Sequence, residues 1–401
     1  MLHRRARSRS RSRSRSCARA SLLLGIVLGL IGLLGACGKG KTTGEPSKSD
    51  KPGDKPALER TQEGQATGTP TTAGEVTLPP APPLPEVPLG LPRPAPVTRA
   101  FSPELVALGE ALFVEASWSA DHKTACSTCH DPKAGYSGER HPTALGRPNL
   151  RRPPPLVNVA WQRELGWDGR FASLPEHLAA HLHGQLGAEP EQALTEAIKV
   201  PVLRAHFARA LGREPAAADA LAALAAFVST RYLGATPWDQ EEREARGDER
   251  GRTLRAGYAL FVGKAQCAVC HPPPLYTDLG YHRLGLIASA DEGRGRSDPS
   301  LRGAFKTPTL RGAAARPRFF HDASASTLAA AIDWHLEGGR GQGAAASIVD
   351  PALSPIGLTA LEREQLLAFV TALTPTEGGE SRCWTESQRV ARNSPMQSTT
   401  I

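Results

Sequence analysis

The chain has 401 residues, with 48 Lys+Arg against 40 Asp+Glu and a formal net charge of +8. Eight arginines between Arg4 and Arg19 account for the whole excess. Without that segment the charges balance, and no electrostatic case for a nucleic-acid partner is left. The length exceeds one ordinary domain and suits two domains plus some non-globular sequence.

Residues 1–36 read as a signal peptide. The Arg/Ser run is followed by apolar and small residues from Ala20 to Ala36, an n-region and an h-region. That run is short and glycine-rich for a helix that spans a bilayer. Leu34-Gly35-Ala36-Cys37 resembles the bacterial lipoprotein box, so Cys37 is expected to carry lipid. The protein would then sit on the periplasmic side of a bacterial membrane, the outer more readily than the inner. Residues 37–98 form a Pro/Gly-rich linker with Leu78-Pro-Pro-Ala-Pro-Pro-Leu-Pro at its centre. Such a segment has too few large apolar residues to pack and reads as a tether, partly polyproline II.

Helical patterning begins near Phe101. Leu105, Leu108, Ala111 and Leu112 recur at helical spacing behind Ser102-Pro103, an N-cap and first-turn pair. The Ala/Leu-rich stretch from Gln192 to Leu211 is helical, with an interruption expected at Pro201. A second such helix covers Ala216 to Tyr232. Pro237-Trp238-Asp239 and the mixed charges as far as Arg252 read as a domain boundary. Further helices are expected over Leu254–Lys264 and Leu361–Leu373, and residues 379–401 form a polar tail. No convincing strand alternation is present, so the fold is mostly α.

Two Cys-x-x-Cys-His pentads carry the chemistry: Cys126-Ser-Thr-Cys129-His130 and Cys267-Ala-Val-Cys270-His271. Each offers two thiols to the vinyl groups of a haem and a histidine to its iron. Zinc would need four ligands, usually in paired Cys/His clusters. Two covalently bound haem c groups follow. Of the seven cysteines, Cys17 leaves with the signal and Cys383 stands alone in the tail, so no intramolecular disulfide is proposed. The only methionines are Met1 and Met396, which leaves no core methionine to ligate iron.

From Ala100 to Thr374 the chain resembles the di-haem cytochrome c peroxidase family, which includes the MauG-type enzymes. The matching blocks are CSTCHDP from Cys126, Trp167-Asp168-Gly169-Arg170, ALFVGKAQCAVCH from Ala259, FKTPTLR from Phe305, Phe319-Phe320-His321-Asp322, and Leu328 to Gly339. The resemblance implies two cytochrome-c-like haem domains in tandem. Residues 99–240 would carry the peroxide-reacting haem and residues 241–378 the electron-transfer haem. His130 and His271 would be proximal ligands. The sixth-ligand position of the second haem, a Met or Tyr in relatives, is His335, which would make that haem bis-His and lower its potential. Trp167 matches the tryptophan between the haems.

The peroxide pocket departs from the family pattern. His177 stands where relatives have Gln, His181 where they have Pro, and the Glu position is unmatched, with Glu189 nearby. A histidine suits proton transfer to and from peroxide, so His177, His181 and His183 are candidates, the alternatives being solvated helix histidines or that one of them ligates the iron. His141 lies in the loop where classical peroxidases carry a removable distal ligand. It is either that ligand or a surface residue. Arg152 takes the position of an Asn associated with calcium in relatives, which disfavours a cation. The resemblance implies hydrogen peroxide as substrate and a small cytochrome c or cupredoxin as electron donor. A MauG-like oxidase acting on a partner protein and a bis-His electron carrier are the alternatives. The sequence does not decide between a monomer and a homodimer.

Overall fold

The computed structural model describes residues 76–93, 101–286, 291–339 and 349–376, all within the compact unit Thr72–Ile401. The expected signal, Cys37, the linker apart from residues 76–93, and the tail from residue 377 lie outside the described residues.

The expected helices form. Ser102 caps α1 (Pro103–Val114), its Oγ accepting from the Leu105 amide at 3.1 Å. The pentad turn α2 (Cys126–Cys129) follows, then α3 (Leu174–His181), which continues into a π-helical turn over Leu182–Leu186. Pro190 and Pro201 open α4 (Pro190–Ala197) and α5 (Pro201–Leu211), so the patterned stretch is two helices as expected from the proline. Next come α6 (Ala217–Ser229), α7 (Pro237–Glu244), α8 (Glu249–Val262), α9 (Leu328–Leu336) and α10 (Ala360–Thr371). The only paired strands among the described residues are the two-residue β1 (Tyr281–His282) and β2 (Phe305–Lys306), antiparallel with Tyr281 opposite Lys306.

Two main cores hold these helices. Leu108, Leu112, Phe113, Phe207, Leu224 and Phe227 belong to one, and Trp238, Leu254, Phe261, Tyr276, Phe369 and Leu373 to the other. Each has a helix pair crossing at a glycine. A Cβ on Gly109 of α1 would overlap the Ala223 carbonyl of α6, and one on Gly257 of α8 would overlap the Gln365 carbonyl of α10. Each pentad follows the glycine-bearing helix of its pair.

One expectation, the free tether, is corrected, and the charged run gains a structure. Part of the charged run after Pro237 is helical and buried: Thr236 caps α7 through a capping box with Asp239, and Trp238, Asp239 and Glu241 are buried. The described part of the linker, residues 76–93, is not a free tether. Arg209 donates to the Leu78 carbonyl at 2.7 Å and to that of Pro79. Arg311 donates to Gly90 O at 2.6 Å, the Ala235 amide to Leu89 O at 2.8 Å, and Leu84 packs on the first core. A proline-rich strand has carbonyls without internal partners, and buried or anchored guanidinium groups satisfy them.

Candidate functional site

Both pentads end in the same device. The His130 amide bonds Cys126 O and the His271 amide bonds Cys267 O, each at 2.9 Å. This closes one turn that puts two thiols and an imidazole together. His130 Nδ1 donates to Tyr136 O at 2.9 Å, and His271 Nδ1 to Tyr276 O at 3.0 Å. Both tyrosines adopt left-handed backbone, φ 53°, unusual for a bulky residue, and the turn aims their carbonyls at the rings. With Nδ1 engaged, Nε2 is left for iron, and the carbonyl sets tautomer and ring orientation. Burial pushes both histidines down to about 4, so each is neutral, the form that ligates a metal.

The second pentad opens onto a largely apolar cavity lined by Cys267, Cys270, His271, Trp167, Phe320 and His335, among others. His335, on α9, donates Nδ1 to Ala331 O at 2.7 Å, again leaving Nε2 available. Burial lowers its pKa as well. None of the four pentad cysteines is in a disulfide, and burial pushes the Cys126 and Cys267 thiols up to about 12. Paired thiols, an oriented imidazole and an apolar, ring-lined space fit a covalent haem.

At the first pentad, α3 brings His177 and His181 over His130. The His130 and His181 ring centres lie 6.2 Å apart, and His181 meets His177 edge-on at 5.3 Å. His177 stacks on Phe171 at 4.4 Å, and the Arg170 guanidinium lies 4.9 Å from the other ring centre. Burial holds His177 down at about 4 and His181 well below the usual range. The i, i+4 spacing therefore does gather the two histidines. His183 is corrected: it is exposed and pairs with Glu189 at 2.5 Å, so neither residue belongs to this pocket. In the His141 loop, Asn149 donates to the His141 carbonyl at 2.7 Å and to Gln185 at 2.8 Å. The His141 ring takes no part in the stack of His130, His181 and His177 among the described contacts.

Trp167 is 5% exposed, donates Nε1 to Arg152 O at 2.8 Å and lines the second cavity. Arg152 is buried. Its Nε donates to Phe320 O at 2.5 Å, Nη1 to Ser137 Oγ at 2.7 Å, and its guanidinium lies 5.2 Å from the Trp167 ring centre. At this position a fixed cation, supplied by the chain, already joins distant segments.

A family model for di-haem cytochrome c peroxidase matches residues 103–248. The methylamine utilization protein MauG of Methylorubrum extorquens is 35% identical over 296 residues, 70% of this chain and 81% of that one. The chain belongs to the di-haem cytochrome c peroxidase family. Cytochrome-c peroxidase IdrP1 of Denitromonas iodatirespirans is 30% identical over 78% of this chain and 90% of its own. Among solved structures, a MauG-like protein associated with microbial copper homeostasis superimposes with a TM-score of 0.66 at 25% identity, covering 75% of this chain and 97% of that one. The diheme peroxidase BthA from Burkholderia thailandensis shares the fold, with a TM-score of 0.55, 20% identity, and 71% and 87% of the two chains covered. Family membership brings two covalently bound haem c groups and the mostly helical di-haem peroxidase fold.

Sequence reasoning missed the tyrosine carbonyls and the buried cations of the second cavity. A tyrosine a few residues after each pentad, in HDPKAGY and HPPPLY, was the available signal for the first.

Proposed function

We propose that the chain is a lipid-anchored di-haem peroxidase that reduces hydrogen peroxide at the haem of Cys126–His130. Electrons would enter from a small periplasmic cytochrome c or cupredoxin through the haem of Cys267–His271 and Trp167. The observation that carries this reading is membership of the di-haem peroxidase family, with cytochrome-c peroxidase relatives at 30% identity; the buried pair His177 and His181 beside His130 supplies its titratable groups. Hydrogen peroxide, two electrons and two protons give two water molecules. The haem irons, when bound, would supply the electron storage and the site for peroxide.

The chain's own residues supply the proton path. His181 takes a proton from entering peroxide and returns it to the departing oxygen. His177, clamped on Phe171, fixes the His181 ring edge-on. His335, its Nδ1 tied to Ala331 O, would offer Nε2 to the iron of the electron-transfer haem. Residues 99–240 and 241–378 are the two haem domains in this reading. Cys37 is the lipid attachment point on the periplasmic side, the outer membrane being the favoured one.

A second reading has one specific support. A 6.2 Å separation of imidazole centres leaves room for one iron between His130 and His181, and a haem so closed would only carry electrons. The deciding experiment is to record spectra of the reduced and mixed-valence holoprotein with and without peroxide. The peroxidase reading expects a five-coordinate haem in the mixed-valence state that peroxide converts. If both haems remain six-coordinate and low-spin and peroxide leaves them unchanged, the carrier reading replaces it. His181→Ala is expected to lower peroxide turnover by about 10²–10⁴-fold, with the second haem's spectrum unaltered.

A further inference from the structure

Three buried cations line the cavity of the second pentad with no acid in hydrogen-bond contact among the described residues; Asp322 attracts Arg152 and Glu164 attracts Lys306 from farther off, while Arg316 has no such acid. Arg152 is 2% exposed, Arg316 5% and Lys306 7%. Arg152 spends its donors on Phe320 O and Ser137 Oγ, and Lys306 donates to the Glu164 backbone carbonyl. Arg316 donates Nη2 to Thr309 O at 2.9 Å and Arg311 O at 2.6 Å, while its buried Nε has no partner. Arg152 and Arg316 repel one another. The acids on the cavity wall are already matched: Asp291 holds Arg151 through two bonds of 2.5 and 2.7 Å, and Asp350 holds His282 at 2.7 Å.

Buried unpaired guanidinium groups are costly, and a free Nε donor facing a cavity adds to that cost. The arrangement is stable once an anion enters, and the group that the second pentad attaches carries two carboxylates, its propionates. We propose that Arg316, with Arg152 and Lys306, is the propionate-binding end of the second haem's cavity and raises that haem's reduction potential. The inference rests on the haem reading of Cys267–His271. Reduction adds one negative charge to the haem, so fixed cations in a poorly screened site favour the reduced form. They offset the lowering that bis-His ligation by His271 and His335 brings.

The test uses the full-length holoprotein and two variants, Arg316→Gln and Lys306→Met, with Arg316→Lys as the conservative control. Haem staining and mass first report the covalent haem count; a wild type lacking the second haem would remove the haem reading itself. With two haems present, spectroelectrochemical titration should show Arg316→Gln shifting the oxidised-to-reduced ratio of the second haem about tenfold toward oxidised at a fixed poise, equal to about 59 mV for one electron. Its propionate bending band in the resonance Raman spectrum should move too. Arg316→Lys should keep most of the potential while still moving that band. Should Arg316→Gln fail to yield holoprotein, Lys306→Met carries the same reading, with a shift in the same direction. A second haem whose potential and propionate band are unchanged in every variant that retains both haems overturns the proposal.

Discussion

Asp239 and Arg311 are each about 1% exposed and meet through two bonds, of 2.8 and 2.9 Å. Arg311 also donates to Pro274 O at 2.8 Å and to Gly90 O. One guanidinium thus ties together α7, the segment after the second pentad and the proline-rich strap. A buried pair contributes little against an apolar replacement, but breaking it strands a charge. Asp239→Ala is therefore expected to lose about 3–5 kcal/mol of stability, read by chemical denaturation of the holoprotein. A loss under about 1 kcal/mol would mean that water reaches the guanidinium. Arg311 was visible in the sequence as the end of FKTPTLR, but its partners stand 72 and 221 residues away. No local pattern reports such distances.

At the scale of single elements, two predictions follow from how the pentads are delivered. Asp121 orders the loop entering Cys126, accepting from Thr124 Oγ1 at 2.7 Å, the Thr124 amide at 2.9 Å, the Lys123 amide at 3.0 Å and Ser119 Oγ at 2.8 Å. Slight burial opposes ionisation, yet these bonds hold its carboxyl well below the usual carboxylate range of 3.8. The folded value is depressed, so the stabilisation is full above the unfolded value near 4 and fades as pH falls further. Asp121→Asn should cost about 1 kcal/mol at pH 7, and the gap from wild type should close on acidification below pH 4. A gap that is constant with pH would assign the loss to packing instead. The glycine crossings give the second prediction. Gly257→Val must push α8 from the Gln365 backbone, which does not yield as a side-chain tip would. A loss of about 1–3 kcal/mol or more is expected, with Gly109→Val behaving alike at the α1–α6 crossing. Equal melting temperatures for variant and wild type would contradict the close approach.

Legibility in the sequence follows the range of the interaction. Cys-x-x-Cys-His, the Ser102 cap and the proline break at 201 act within a turn, and the structure has them where the chain suggests. His177 and His181 were readable because helical spacing of four residues alone puts them on one face. The fate of residues 76–93 was not readable. Their composition matches a free tether, and only Arg209, Ala235 and Arg311, far along the chain, turn them into a packed strap. His183 failed for a related reason: at the π-helical turn after His181 the chain leaves the face that α3 presents to His130.

For the molecule as a whole, the short stretch from Trp167 to His177 is the physical link between the two candidate sites. At one end Trp167 lines the cavity of the second pentad, with its ring edge-on to His321 at 6.5 Å. The chain then turns back, Leu165 pairing with Phe171, and at the other end His177 stacks on Phe171 beside His181. Arg151 fixes this stretch by bridging Asp168 at 2.8 Å and Asp291 at 2.5 Å. A buried indole in this position can pass electrons, while a phenyl ring fills much of the same space with a less easily oxidised group. Trp167→Phe should therefore keep both haems and the peroxide-induced spectral change at the first one. In stopped-flow experiments on the mixed-valence protein, oxidation of the second haem by peroxide should slow by about tenfold or more, an added barrier of about 1.4 kcal/mol. An unchanged rate of that step would send the electrons by another route and leave Trp167 as a packing residue alone.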